Sequence, residues 1–183
     1  MRGGRAAGRP FLLGELLMSA IRLAGIVRES IVDGPGFRFV VFVQGCPHHC
    51  EGCHNPQSHD FAGGSLCETD TLLAEIQKNP LLSGVTFSGG EPFCQPGPLV
   101  QLGTEVKKLG LNLIVYSGYA YEELNGMDNP DVHALLELSD YLIDGKFLLE
   151  QRNLLLRYRG SDNQRIIDLK RTRELGVVVT TEL

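Results

Sequence analysis

Three cysteines, Cys46, Cys50 and Cys53, lie within eight residues of one another. Thiolates are soft ligands that bind zinc or iron–sulfur iron well and hard cations poorly. A structural zinc site is closed by four ligands, and a [4Fe-4S] cluster normally takes four cysteines. One of the nearby histidines could supply a fourth zinc ligand, whereas a cluster held by three thiols would leave one iron free to bind something else. The residues alone leave both sites open, although a free iron serves a catalyst rather than an electron carrier.

Three more motifs with polar or glycine residues occur further along the chain, at Gly89–Glu91, Ser117–Gly118 and Asp144–Lys146. Glycines let a backbone approach a ligand closely, and a carboxylate such as that of Glu91 can accept hydrogen bonds from an ammonium group. Each motif also has a purely structural interpretation. The first could be a tight turn with a surface acid, the second an ordinary turn at a strand end, and Asp144 a helix cap or a member of an ion pair.

Each of the four motifs directly follows a predicted strand, at residues 37–43, 84–87, 111–116 and 141–143. Helical patterns separate these strands, so the order predicts parallel strands joined by helical crossovers. In such α/β barrels the active site lies at the carboxyl ends of the strands. A complete barrel takes roughly 250 residues, so this chain predicts an α/β fold with a partial, open TIM-like barrel and outer helices. Two further strands are predicted at residues 165–169 and 176–180.

Composition sets limits on the class of protein. The chain has 183 residues, 43% hydrophobic content and a net charge of −5, which predicts one domain with no general attraction to nucleic acid. No segment approaches the ~20 apolar residues of a membrane span. Five cysteines, three of them clustered, favour a reducing, cytoplasmic compartment, and Cys67 and Cys94 are expected to be ordinary thiols. Residues 1–17 are predicted to be a disordered extension and residues 18–183 a single domain.

The spacing Cys-x3-Cys-x2-Cys resembles the signature of the radical S-adenosylmethionine (SAM) enzymes. The resemblance implies that Cys46, Cys50 and Cys53 hold a [4Fe-4S] cluster and that the methionine end of SAM chelates its open iron. Gly89, Gly90 and Glu91 resemble the family's Gly-Gly-Glu motif, which holds the amino group of SAM. By the same resemblance, SAM-side contacts are expected from Ser117 toward the ribose, from Asp144 and Lys146, and from the segment with Gly52 and His54. Most members place an aromatic residue where this chain has Gly52, and His54 then supplies the ring.

Three runs, at residues 33–38, 45–56 and 159–168, resemble a smaller group within that family, the activating proteins of anaerobic ribonucleoside-triphosphate reductases. The resemblance covers residues 18–183. It implies an enzyme that cleaves SAM reductively and generates a glycyl radical near the C-terminus of the large reductase subunit, with flavodoxin or a ferredoxin as reductant. A same-class alternative is an activase of another glycyl-radical enzyme, such as pyruvate formate-lyase. A different-class alternative is a non-catalytic zinc or electron-transfer module.

A protein partner needs a docking surface, and one segment of this acidic chain is locally basic. Between residues 151 and 174 the cationic side chains outnumber the three acids, Asp162, Asp168 and Glu174. Such a surface can steer a complementary partner, although a merely solvated face fits the same composition. The cationic residues are Arg152, Arg157, Arg159, Arg165, Lys170, Arg171 and Arg173.

Overall fold

The structure is a computed structural model that describes residues 19–183. The extension predicted for residues 1–17 lies outside the described residues. The described part of the chain contains no helix that is both long and apolar enough to cross a membrane. The strands are β1 Ala20–Ser30, β2 Arg38–Val43, β3 Ser65–Glu68, β4 Gly84–Gly89, β5 Asn112–Tyr116, β6 Tyr141–Asp144 and β7 Arg165–Asp168. The helices are α1 Thr69–Gln77, α2 Pro96–Lys108, α3 Tyr121–Asn125, α4 Pro130–Leu138 and α5 Leu169–Leu175.

All seven strands belong to one sheet, in the order β3-β1-β2-β4-β5-β6-β7. The four central strands, β2, β4, β5 and β6, pair in parallel. At the edges β1 runs antiparallel to β2 and to β3, and β7 runs antiparallel to β6. The fold is therefore mixed α/β with a mostly parallel centre, and the four strands predicted before the motifs are confirmed.

The strand predicted at residues 176–180 is wrong. Helix α5 ends at Gly176, which adopts a left-handed conformation with φ of 68°, and only Thr180 bridges to Ile167. Valine-rich composition favours strands, but a single bridge next to a helix end leaves no length for a ladder. The strand predicted at residues 165–169 is confirmed as β7, but its antiparallel pairing ends the strand–helix repeat.

Side chains alternate between the two faces of the sheet with the period of two that strands require. Leu113 and Val115 of β5 point into the large core against the helices, whereas Ile114 and Tyr116 lie in a smaller cluster on the opposite face. Because the helices among residues 19–183 all pack on one face, the opposite face is free to form a cavity where the parallel strands end.

A buried arginine lies on that opposite face, at the end where the parallel strands begin. Arg38 is 0% exposed and donates to Thr86 Oγ1 at 2.6 Å, to the Val85 carbonyl at 2.6 Å and to Asn112 Oδ1 at 2.7 Å. It therefore ties β2 to β4 and to the first residue of β5. Burial lowers the pKa of Arg38 to about 10, because desolvation disfavours the charged form.

Candidate functional site

A cavity of about 550 Å³ opens at the carboxyl ends of the parallel strands, on the face that the helices leave free. Phe42 of β2, Ser88 and Gly89 of β4, and Tyr116 of β5 line it. Cavities of this size take cofactor-sized ligands, and they commonly lie where parallel strands end. Of the predicted site residues, seven line this cavity: Cys46, Cys50, Cys53, His54, Gly89, Gly90 and Ser117.

The cysteine loop begins where β2 ends. The Gly45 amide donates to the Ser58 carbonyl, and the Cys46 amide donates to the His59 carbonyl, so the loop closes on itself. Burial raises the pKa of the Cys46 thiol, with the His48 backbone amide acting in the opposite direction. The Asn55 amide donates to Cys53 Sγ at 3.4 Å. Three thiols from one short loop thus face one cavity, as the spacing predicts.

Gly89 and Gly90 are glycines because β2 runs directly against them. The Gly90 amide donates to the Val43 carbonyl at 2.7 Å, and a Cβ added at Gly90 would overlap the Gly45 carbonyl oxygen. Gly89 has a φ of +99°, and an added Cβ there would lie 2.6 Å from the Val43 amide nitrogen. The glycine pair therefore lets the turn after β4 pack onto the start of the cysteine loop while its backbone also lines the cavity.

Glu91 does not line the cavity. Its side chain is 0% exposed and its two oxygens accept four hydrogen bonds, two each. Oε1 accepts from the Phe93 amide at 3.0 Å and from Ser117 Oγ at 3.1 Å. Oε2 accepts from the Gly118 amide at 2.8 Å and from His48 Nε2 at 2.8 Å. A carboxylate has about four lone-pair sites, so all of them are taken by the protein.

The turn after β5 lies between Glu91 and the cavity. Ser117 Oγ donates to Glu91 and accepts from the Tyr119 amide at 3.0 Å. Its single hydrogen is thus already used, and one lone pair is left for a ligand hydroxyl. Gly118 also lines the cavity, and a Cβ added there would overlap the His48 ring.

Asp144 performs both structural roles that the sequence left open. It is 1% exposed, caps α3 by accepting from the Tyr121 amide at 2.8 Å, and pairs with Arg165, whose Nε lies 3.0 Å from Asp144 Oδ1. Neither Asp144 nor the exposed Lys146 lines the cavity; Gly145 between them does. The structure does not bring these two side chains together with the cysteine loop.

Gly52 and His54 lie on opposite sides of the third cysteine. Gly52 has a φ of +71°, and a Cβ there would lie 3.0 Å from Leu149 Cδ1, so it lies against Leu149 rather than lining the cavity. The His54 ring faces the cavity and lies 5.1 Å from the Phe147 ring.

The residues present fit an iron–sulfur cluster with an organic ligand beside it. Within the described residues, no three His, Cys, Asp or Glu side chains are gathered closely enough to hold a single metal ion. Two polar atoms in residues that line the cavity, His59 Nε2 and Arg159 Nε, are buried without a partner. Buried polar atoms normally have partners, so their orphaned state indicates a polar ligand.

Comparison with known proteins agrees with this chemistry. The family described as a 4Fe-4S single cluster domain matches residues 32–167. The anaerobic ribonucleoside-triphosphate reductase-activating protein of Vibrio cholerae is 33% identical over 143 residues, which are 74% of this chain and 90% of that protein. The protein of the same name from Enterobacteria phage T4 is 32% identical over 146 residues, 75% of this chain and 87% of that protein. The pyruvate formate-lyase-activating enzyme of Clostridium pasteurianum is 39% identical over 106 residues, 55% of this chain but 44% of that enzyme.

The chain therefore belongs to the radical SAM activating enzymes with a single 4Fe-4S cluster, in the group of the anaerobic ribonucleoside-triphosphate reductase-activating proteins. Its cofactors are a [4Fe-4S] cluster and SAM.

One residue of the site has a role that sequence reasoning missed. The side chain of His48, one of the histidines beside the cysteines, is 6% exposed and bonds Glu91. Its ring also packs edge-on against Tyr119, with centroids 4.4 Å apart. In the sequence, only the position between Cys46 and Cys50 indicates that His48 belongs to the site. Its partner Glu91 lies 43 residues away, so the contact exists only in the folded chain.

Proposed function

We propose that this protein generates a glycyl radical on the large subunit of anaerobic ribonucleotide reductase. The observation that carries the proposal is that three thiols and a glycine pair, contributed by the ends of β2 and β4, line one cavity. The relatives named as activating proteins of that reductase support the choice of partner.

Each part of the cavity has a proposed task. Cys46, Cys50 and Cys53 hold the cluster, and the backbone of Gly89 and Gly90 receives the amino group of SAM. Ser117 is placed for the ribose and His54 for the adenine side, while Gly52 leaves room for Leu149. Glu91, Asp144 and Lys146 do not line the cavity. We propose that they act on the SAM side indirectly, by holding the turns after β4 and β6, which do line it. When bound and reduced, the cluster supplies the electron that cleaves SAM to methionine and a 5′-deoxyadenosyl radical, which takes hydrogen from glycine.

Four parallel strands whose free face carries the cavity support a partial, open barrel of the radical SAM type, formed by a single domain over residues 18–183. In a closed barrel that face would be the interior. The unpaired thiols support a reducing cytoplasmic location. Reductive cleavage of SAM needs a low-potential electron donor, for which we propose flavodoxin or a ferredoxin.

The docking surface for the partner is proposed around residues 149–159. Of the seven cationic residues between residues 151 and 174, Arg159, Arg165 and Arg173 are engaged in ion pairs. Arg152 and Arg157 are exposed and flank Leu154 and Leu155, which are 79% and 93% exposed. Leu156 of the same segment lines the cavity. A partner with acidic and apolar side chains would fit this rim, where a glycine must enter.

The proposal is tested by two measurements on the anaerobically reconstituted protein. Iron and sulfide near four per chain, with a broad absorption band at the visible–ultraviolet edge that air destroys, are expected for the cluster. Incubation with SAM, a reductant and the reductase large subunit should then give the electron paramagnetic resonance doublet of a glycyl radical. Stoichiometric zinc without iron would instead favour the non-catalytic module.

The same experiment distinguishes the reductase from the second candidate partner, pyruvate formate-lyase. The similarity to a pyruvate formate-lyase-activating enzyme keeps that lyase as the alternative. A glycyl radical that forms on pyruvate formate-lyase and not on the reductase would replace the proposed partner while leaving the class of enzyme unchanged.

A further inference from the structure

Three loops meet at the Glu91 carboxylate. His48 comes from the cysteine loop after β2, Glu91 itself from the turn after β4, and Ser117 and Gly118 from the turn after β5. The backbone of Glu91 adds to this junction, since its amide donates to the Gly45 carbonyl at 2.8 Å. The carboxylate thus lies behind the cavity wall and bonds to two of the segments that form the wall, the cysteine loop and the turn after β5, from a third, its own turn.

The His48 ring is held from three sides. Its Nε2 lies 2.8 Å from Glu91 Oε2, its edge packs on Tyr119, and its face lies where Gly118 has no side chain. Because a carboxylate only accepts, Nε2 must carry the ring hydrogen in this contact. A hydrogen bond to a charged, desolvated group is strong and geometrically strict. No such restraint is seen for the exposed neighbour His49, whose ring contacts the His59 ring.

We propose that His48 and Glu91 are positioning residues that lock the cysteine loop to the glycine turn, so that the thiols and the SAM-binding backbone keep one fixed separation. This inference rests on the proposed function. It assigns Glu91 an indirect role: with all four acceptor sites filled, the carboxylate shapes the SAM site by fixing Gly118 and the cysteine loop against its own turn, which carries Gly89 and Gly90.

The alternative role for Glu91, direct binding of the SAM ammonium, makes the opposite prediction for a change at His48. If the ammonium needed Glu91, it would compete with His48 for Oε2. Removing the histidine donor would then free an acceptor site, and SAM would bind as well as before or more tightly. If the pair is a lock, the same change loosens the turn and SAM binds more weakly.

The test uses His48→Phe, which keeps a ring against Tyr119 but deletes the donor to Glu91. The matched control is His49→Phe, the same change one residue later at an exposed position. His48→Gln is the conservative variant, because its amide can donate to Glu91 from a similar reach. Each protein is reconstituted anaerobically, assayed for iron and sulfide, and titrated with SAM by calorimetry. The change that SAM produces in the electron paramagnetic resonance spectrum of the reduced cluster is recorded as well.

We expect His48→Phe to keep the iron and sulfide content of the original protein and to bind SAM about tenfold more weakly, because SAM binding must then order the turn that the charged hydrogen bond holds in the original protein. The spectral change on adding SAM should be incomplete. His48→Gln should recover most of the affinity, and His49→Phe should behave like the original protein.

Two results would overturn the inference alone: unchanged or tighter SAM binding by His48→Phe, or loss of iron in His48→Phe, which would place the histidine in cluster assembly. A protein with the original sequence that takes up iron but does not bind SAM would overturn the proposed function, and the inference with it.

A double variant gives a second check on the same point. If His48 and Glu91 act as one unit, His48→Phe combined with Glu91→Gln should weaken SAM binding little more than either change alone, since residues in one network are not additive. Full additivity of the two losses in affinity would show that the residues act separately.

Discussion

At the scale of single residues, the five cysteines fall into two sets. Cys46, Cys50 and Cys53 line the cavity, whereas Cys67 and Cys94 lie elsewhere. Replacing any one of the three cavity thiols by Ala should abolish stable cluster assembly, because a three-thiol site has no spare ligand.

Iron and sulfide analysis after anaerobic reconstitution checks this prediction. Cys67→Ala and Cys94→Ala are the matched controls and should retain the full cluster. Equal loss of iron in Cys94→Ala and Cys50→Ala would show that the ligand assignment is wrong.

The positions of the site residues could be predicted from the sequence, whereas the orientation of some of their side chains could not. The spacing of the thiols placed all three in the cavity, because a short loop has no room to send them to different places. Glu91 and Asp144 were also predicted at the right strand ends. The orientation of each carboxylate depends on a hydrogen-bond donor from a distant segment, His48 for Glu91 and Arg165 for Asp144. No local sequence pattern indicates such a donor.

At the scale of elements, the junction of β2 and β4 depends on a glycine. A Cβ at Gly90 would overlap the Gly45 carbonyl oxygen, next to the first cysteine. Gly90→Ala should therefore displace the cysteine loop and lower the free energy of unfolding by about 1–3 kcal/mol, the usual cost of overpacking.

Denaturant unfolding of the metal-free protein measures this effect, and cluster content should fall in parallel. Gly25→Ala is the control, because a Cβ at Gly25 meets nothing within 4 Å. Similar stability for the two variants would mean that the turn can move away from β2 without loss.

The other edge of the parallel strands is held by an ion-pair junction. Arg165 of β7 pairs with Asp144 of β6 and with Glu122 of α3. Its side chain is 35% exposed, so water screens part of the interaction, and Arg165→Leu should cost about 1–3 kcal/mol of unfolding free energy at neutral pH. The control variant is Arg28→Leu. The Arg28 side chain pairs with Glu75 but is 63% exposed, so this change should alter the unfolding free energy little.

The pH dependence of that loss follows from the pKa of Glu122. Arg165 lowers the pKa of Glu122 below its ordinary 4.5, so the unfolded chain binds a proton more readily than the folded one. The stabilisation is present above pH 4.5 and is lost as the pH falls through the folded pKa. The difference in unfolding free energy between Arg165→Leu and the original protein should narrow as the pH falls below 4.5. A difference that stays constant over that range would exclude a contribution from Glu122.

Elements were predictable where a local pattern repeats. The strand–loop–helix order identified the four parallel strands, because each reads as a short apolar run before a polar motif. The antiparallel edge strands β1, β3 and β7 carry no such repeat, and their direction depends on pairing partners. The false strand at residues 176–180 shows the same limit, since its valines lie beside a helix end rather than in a ladder.

At the scale of the whole molecule, docking and SAM chemistry should be separable. The double variant Arg152→Glu with Arg157→Glu reverses two exposed charges. It should lower the rate of glycyl-radical formation on the partner and the salt dependence of that rate, because rim charges act mainly on association. Uncoupled cleavage of SAM should stay unchanged, because neither residue lines the cavity.

The two rates are measured on the same preparation, with Lys170→Glu combined with Arg171→Glu as a control charge reversal on α5. An equal effect of both double variants would indicate general attraction rather than a surface at residues 149–159.

A cluster held by the three cavity thiols should support reductive cleavage of SAM. The yield of 5′-deoxyadenosine from anaerobically reconstituted protein with SAM and dithionite measures this cleavage, with Cys50→Ala treated in the same way. The iron-loaded protein should give 5′-deoxyadenosine and methionine in equal amounts, and Cys50→Ala should give neither. Full iron and sulfide loading without any 5′-deoxyadenosine, or an equal yield from Cys50→Ala, would contradict this role of the thiols.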